Sequence, residues 1–182
     1  MSSFTRPAFE LLVQYARYHR DQRNIATHLV GIPMVVFAIA MLLGRTALPL
    51  PGHWTTTPAW ALFAALALWM LTRGEFLLGA ATTAVTAVLV GAAHGLAGMP
   101  YAPWLALGLA LFVLGWLVQF VGHYYEGRRP VMADDPASLF VGPMFVVLQM
   151  LSAAGWYRDL TRRVEQVAGP TMLRDLAQPI SR

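Results

Sequence analysis

Residues Trp116–Pro130 read W-L-V-Q-F-V-G-H-Y-Y-E-G-R-R-P, and this stretch decides what kind of fold the chain can have. An apolar run ends abruptly in one histidine, one carboxylate and two arginines. The run begins at Trp104, which gives it the length and composition of a helix that lives in lipid. His123 and Glu126 are three residues apart, so on a continuing helix they differ by about 60° and project from one face. A neutral imidazole beside a carboxylate can form a metal site or a proton-transfer pair. The alternative is a helix end dressed with interfacial polar groups.

The rest of the composition agrees with lipid. Of 182 residues, 57% are hydrophobic and only 12% charged, too apolar a balance for an ordinary soluble domain of this size. The length accommodates four or five apolar helices and leaves no room for a soluble domain beside them. A single membrane-embedded domain, residues 1–182, is therefore expected. All thirteen basic residues are arginine and the net charge is +4. Because the arginines flank apolar segments and form no long stripe, they point to membrane lipid headgroups and not to nucleic acid. With no cysteine, disulfides, thiolate ligands and cysteine nucleophiles are excluded. The N-terminus shows no short apolar run ending in a cleavage site, so no removable signal peptide is expected.

In chain order, Phe4 to His19 carries its apolar groups on roughly one face and reads as an amphipathic helix on the membrane. His19 and His28 are nine residues apart, which on one unbroken helix puts them on opposite faces. A break at Arg20–Arg23, with Asn24 capping a new helix, removes that conflict. His19 then closes the first helix and His28 opens the second, where both can reach one point. Two histidines in a polar connector are the simpler alternative. Apolar segments follow at Ile25–Leu43, Ala59–Thr72, Phe76–Ala97, Trp104–Val121 and Ser138–Tyr157, the last interrupted by Gly142-Pro143. The tail, residues 158–182, is charged, helical in pattern to Gly169-Pro170 and expected to fray beyond. The fold class expected is all-α: a polytopic membrane protein with four to five apolar helices and an N-terminal amphipathic helix.

If the first four segments cross in alternation, His19, His28, His123 and Glu126 collect at one mouth of the bundle. His53 and His94 fall at the other. The histidine side carries Arg6, Arg17, Arg20, Arg23, Arg73, Arg128 and Arg129, against Arg45 alone opposite. By the positive-inside tendency the histidine side faces the cytoplasm. A full crossing by the last segment would carry Arg158, Arg162 and Arg163 to the wrong side. A re-entrant or steeply tilted path, with both termini cytoplasmic, is expected instead.

Taken in order, Y-x-x-Y-H at 15–19, Asn24, His28, G-I-P at 31–33, W-x-x-Q-F-x-G-H at 116–123, E-G-R-R-P at 126–130 and G-P at 142–143 resemble the Mpo1-like membrane proteins. The resemblance runs from about Phe9 to Trp156. It implies an iron(II)-dependent dioxygenase that shortens 2-hydroxy fatty acids by one carbon, with O2 as co-substrate. It further implies that His19, His28 and His123 are metal ligands and that Asn24, Gln119 and Glu126 are catalytic or support the ligands. Two features depart from the family pattern. The compact H-x-x-E-G form at 123–127 is one associated with bacterial members, hence an expected bacterial inner membrane. Gln149 stands where some members carry an acidic residue. Arg128 and Arg129 are candidates to pair with a substrate carboxylate, and phospholipid anchoring is their competing role. The same ligands would serve Zn2+ in a membrane lipid hydrolase. A non-enzymatic transporter or assembly protein, with histidines paired across helices, is the third reading.

Overall fold

A computed structural model describes residues 3–177. Seven α-helices occupy most of them: α1 (Ala8–Ala16), α2 (Gln22–Leu43), α3 (Pro58–Leu71), α4 (Phe76–His94), α5 (Tyr101–Glu126), α6 (Ser138–Ala153) and α7 (Arg158–Ala168). Between α2 and α3 lies a small antiparallel pair, β1 (Leu48–Pro49) with β2 (Thr55–Thr56), turned by Gly52 and His53 at positive φ. The architecture is otherwise all-helical. Helices α2, α4 and α5 are long and apolar enough to cross a membrane, whereas α3 and α6 are apolar but shorter. Leu107, Leu109, Val113, Leu114, Leu117, Phe120 and Val121 stay exposed on α5, the side-chain belt that lipid would cover.

The principal packing is α2 against α5, and glycines on α5 bring the two backbones together. Gly108, Gly115 and Gly122 recur every seven residues, about 20° short of two full turns, so they share one face. A Cβ on Gly115 would lie 2.8 Å from Val35 Cγ2 and 3.1 Å from the Gly31 carbonyl. A Cβ on Gly122 would lie 2.5 Å from Asn24 Oδ1. The small-residue pair visible in the sequence, Gly91 and Gly95, makes no such approach: a Cβ on Gly91 would meet nothing within 4 Å.

Two apolar cores result. One, at the end distant from the site, joins Met41, Ala59, Val90, Ala93 and Trp104. The other gathers Leu11 and Leu12 of α1, Phe145 and Leu148 of α6, Leu160 and Val164 of α7, and Met70 and Leu78 at the turn between α3 and α4. Helix α6 thus packs across the histidine end of the bundle, and the chain after it returns to that end, where Met172 bridges to Asp21. Both described ends of the chain lie on the histidine side. Residues 178–182, which include the extreme C-terminus, fall outside the described residues.

Three local expectations are corrected. Helix α2 starts at Gln22 with Asp21 as its cap, the Asp21 side chain accepting from the Arg23 N–H at 2.8 Å; Asn24 lies inside the first turn. Helix α1 stops at Ala16, so His19 sits in the connector. The tail does not fray at Gly169-Pro170 but continues along Asp21, because backbone groups left over at that corner pair with it.

Candidate metal centre

Three elements deliver three histidines to one buried point. His19 comes from the α1–α2 connector, His28 from the second turn of α2, and His123 from the last turn of α5; none is more than 7% exposed. One nitrogen from each lies within 4.8 Å of the others.

Hydrogen bonding fixes the tautomers of two rings. His19 Nδ1 lies 2.8 Å from the Tyr15 carbonyl and His28 Nδ1 lies 2.9 Å from the Asn24 carbonyl. A carbonyl only accepts, so each Nδ1 carries the proton and each Nε2 presents a lone pair. Those two Nε2 atoms are 3.2 Å apart. Two lone pairs at that separation repel unless a cation lies between them. The third ring, His123, has its Nδ1 buried without a hydrogen-bond partner. Burial, and then the adjacent His28 and His123 rings, push the His19 pKa well below its ordinary value, so the ring is neutral. Neutral imidazoles with convergent free lone pairs and carbonyl-anchored far sides are how proteins present histidine to a metal.

Around the rings, Tyr15 stacks flat on His19 with centroids 4.0 Å apart, and Phe145 stands against both. Burial raises the Tyr15 phenol far above its usual value, leaving it protonated.

Glu126 reaches the connector and not the histidine point. Its Oε2 accepts from the backbone N–H of Arg20 at 2.9 Å, the N–H of Asp21 at 2.8 Å and the Asn24 amide at 3.1 Å. It therefore holds the corner from which His19 hangs. Asn24 links the two: its carbonyl anchors His28 while its amide also donates to the Tyr18 carbonyl. Gln119 is buried one turn below His123, with its amide 3.4 Å from the Gly115 carbonyl. Arg128 and Arg129 are not brought to the histidines. Arg128 donates to the Arg17 carbonyl, Arg129 pairs with Asp134, and both line a separate polar cleft with Glu10, Gln14 and Tyr18. His94 is exposed at the opposite end of α4, near Trp60.

A cavity of about 310 Å³ opens from the histidines and runs along α2, lined in turn by Ile32, Val35, Ile39 and Leu43. Helix α3 supplies Ala59, Leu62, Leu66 and Met70 to its wall, and α5 supplies Phe112 and Trp116. Its polar lining is confined to Tyr15, the three histidines, Gln119, Thr86 and Ser138, with no arginine.

The family model described as 2-hydroxy-palmitic acid dioxygenase Mpo1-like matches residues 5–154. The chain belongs to the Mpo1-like family. A curated relative, the 2-hydroxy-palmitic acid dioxygenase MPO1 of Saccharomyces cerevisiae, is 26% identical over 153 residues, which cover 83% of each chain. No solved structure matches. All three histidines, Asn24, Gln119 and Glu126 lie within the Mpo1-like stretch, while α7 and the segment after it lie outside.

Sequence reasoning missed several contributors. Tyr15 stands four residues before His19, a spacing that allows a contact over one turn. Asp21 is one polar residue among several in the Arg20–Arg23 connector, with no signal of its own. The heptad glycines of α5 were in plain sight and point to the close α2–α5 approach that seats His123.

Proposed function

We propose that this protein is an iron(II)-dependent dioxygenase that converts a 2-hydroxy fatty acid into the fatty acid one carbon shorter. The observation that carries the reading is the pair of Nε2 lone pairs 3.2 Å apart at the head of an apolar cavity. Family membership and the yeast relative supply the reaction class. His19, His28 and His123 would hold the iron, which when bound supplies the redox chemistry toward dioxygen. The residues of this chain do the remainder. The Tyr15 and Asn24 carbonyls keep two rings turned inward, and Glu126 fixes the connector carrying the first.

The shape of the cavity supports a substrate of this class. From His28 to Leu43 it follows α2 for about 22 Å at 1.5 Å per residue. An extended hydrocarbon with carbon–carbon bonds of about 1.5 Å advances about 1.25 Å per carbon, so about 17 carbons fit that length. Apolar walls exclude water from the head of the cavity and take the acyl chain. The lining contains no arginine, so a cation held by the histidines would be the group to attract the carboxylate end, which would favour an acid bearing a second oxygen on C2. Atom balance completes the reaction: hydroxy acid plus one O2 gives the shorter acid, CO2 and water. Release of formate instead would leave one oxygen atom needing a separate reductant.

The donor set favours one rival. Three histidines without a carboxylate also suit catalytic zinc with a bound water, the arrangement of a hydrolase. Anaerobic purification with elemental analysis separates the two, followed by oxygen uptake on adding 2-hydroxypalmitate. Stoichiometric iron with oxygen consumed and CO2 released supports the dioxygenase. Zinc without oxygen uptake supports the hydrolase, and absence of metal refutes both. Replacement of His19, His28 or His123 by alanine is expected to abolish metal retention while helical circular dichroism persists.

A further inference from the structure

Residues 169–177 lie beyond the stretch that the family model matches, yet they pair with the Arg20–Asp21 corner that follows His19. Gly169, at φ 100°, turns the chain beneath the Arg20 guanidinium, which packs so closely that a Cβ would meet it at 2.8 Å. Met172 then runs parallel to Asp21. Its N–H donates to the Arg20 carbonyl and its carbonyl accepts from the Gln22 N–H, each at 2.9 Å. Two residues on, the Arg174 N–H donates to Asp21 Oδ2 at 2.9 Å and the Arg174 carbonyl accepts from Arg23 Nη2 at 2.8 Å. Arg174 Nε donates to the Tyr125 carbonyl at 2.8 Å, tying the first turn of α2 to the last turn of α5.

The Arg20–Asp21 corner is consequently gripped from two sides. Its N–H groups face inward to Glu126, while its outward backbone groups and the Asp21 carboxylate face Met172 and Arg174. His28 and His123 ride on long packed helices. His19 does not: it hangs between the end of α1 at Ala16 and this corner. We propose that residues 169–177 are a strap that positions His19 for metal binding, with the Met172 backbone and Arg174 as its positioning groups. The proposal rests on the metal reading above and assigns to the tail a part in it.

Three full-length variants in detergent test it. Met172→Pro removes the N–H that pairs with Arg20 and breaks the bridge. Leu173→Ala keeps the backbone and serves as control, since that side chain is exposed. Arg174→Ala cuts the link to Tyr125. Affinity for iron(II), titrated anaerobically, is expected to fall tenfold or more in Met172→Pro, severalfold in Arg174→Ala and not at all in Leu173→Ala. Metal-free thermal unfolding should stay within a few degrees of wild type. The visible spectrum of the cobalt(II)-loaded Met172→Pro protein should change shape, which lost stability alone would not cause. Wild type that binds neither ion overturns the metal reading itself. Wild type that binds, with Met172→Pro binding equally well, overturns the strap alone. If Met172→Pro fails to fold, Arg174→Ala decides: affinity within twofold of wild type, with an unchanged cobalt spectrum, refutes the proposal.

Discussion

Gly122→Ala is the most direct test of how the α2–α5 crossing builds the site. The added Cβ would overlap Thr27 Oγ1 and would lie 2.5 Å from Asn24 Oδ1 and 3.1 Å from Asn24 Cα. The two side-chain oxygens can rotate, at the cost of the 2.7 Å bond from Thr27 Oγ1 to the Asn24 carbonyl and of the Asn24 amide's bonds to the Tyr18 carbonyl and Glu126. The Cα cannot. An ordinary contact begins at 3.4 Å, so the helix backbones must part by about 0.3 Å. Metal–ligand distances tolerate about 0.2 Å, and the clash falls between the residue next to His123 and the residue whose carbonyl anchors His28. Overpacking of this kind costs about 1–3 kcal/mol, against a gain of up to about 1 kcal/mol from helix propensity. Stability should therefore fall modestly, while iron(II) affinity falls at least tenfold, or about 1.4 kcal/mol. Competition titration against a chelator measures the second quantity and thermal unfolding the first. Gly91→Ala, where the Cβ meets nothing, is the matched control and should leave both unchanged or slightly raise stability. Unaltered metal affinity in Gly122→Ala would refute the reasoning.

Glu126→Gln keeps an oxygen for the three donors now gathered on Oε2 but loses the charge, so metal affinity should drop about 10–100-fold with residual activity. Complete loss of metal would make the carboxylate a ligand, and full turnover would make it irrelevant. Palmitate without the 2-hydroxyl should give no oxygen uptake, while each methylene added to a short hydroxy acid should improve apparent affinity by about 0.8 kcal/mol until the cavity is filled; equal turnover of plain and hydroxylated acids would count against the reading. Burial alone would raise the Asp21 pKa, but hydrogen bonds from Arg23 and from the Arg174 backbone outweigh it and bring it down to about 2 from 3.8. The stability this supplies, on the order of 2 kcal/mol, is present above about pH 4 and lost as pH falls toward 2. Acid unfolding of Asp21→Asn should therefore lack that part of the decline, and an unchanged acid limb would rule the contribution out.

The helices were legible because their signals are long and repeated. Apolar runs bounded by Arg-Gly-Glu at 73–75 or by Gly127 leave little choice about where a chain of this composition turns. The gathering of His19, His28 and His123 followed from alternation of the crossings together with the break at Arg20–Arg23. What was illegible depended on single polar atoms. Nothing in the sequence distinguishes Glu126 aimed at a metal from Glu126 aimed at the Arg20 and Asp21 amides, since a shift of one helical turn exchanges them. Arg128 and Arg129 were read by charge and proximity, yet Gly127 at φ 71° turns the chain so that they meet Arg17 and Asp134 instead. The strap was invisible because its affinity for Asp21 lies in backbone groups, which every sequence possesses.

The division of the three histidines between the start of α2, with the connector before it, and the end of α5 has a consequence for how the protein is made. His19 and His28 leave the ribosome early, and His123 follows about 95 residues later. At about 5–20 residues per second, the two early imidazoles wait roughly 5–20 s for the third. The α3–α4 hairpin is made during that interval, and the segment that pairs with the Arg20–Asp21 corner emerges only after α7. On the proposed metal reading, firm capture would come only after α7 is in place, and a retained ion would certify that the chain has been threaded correctly.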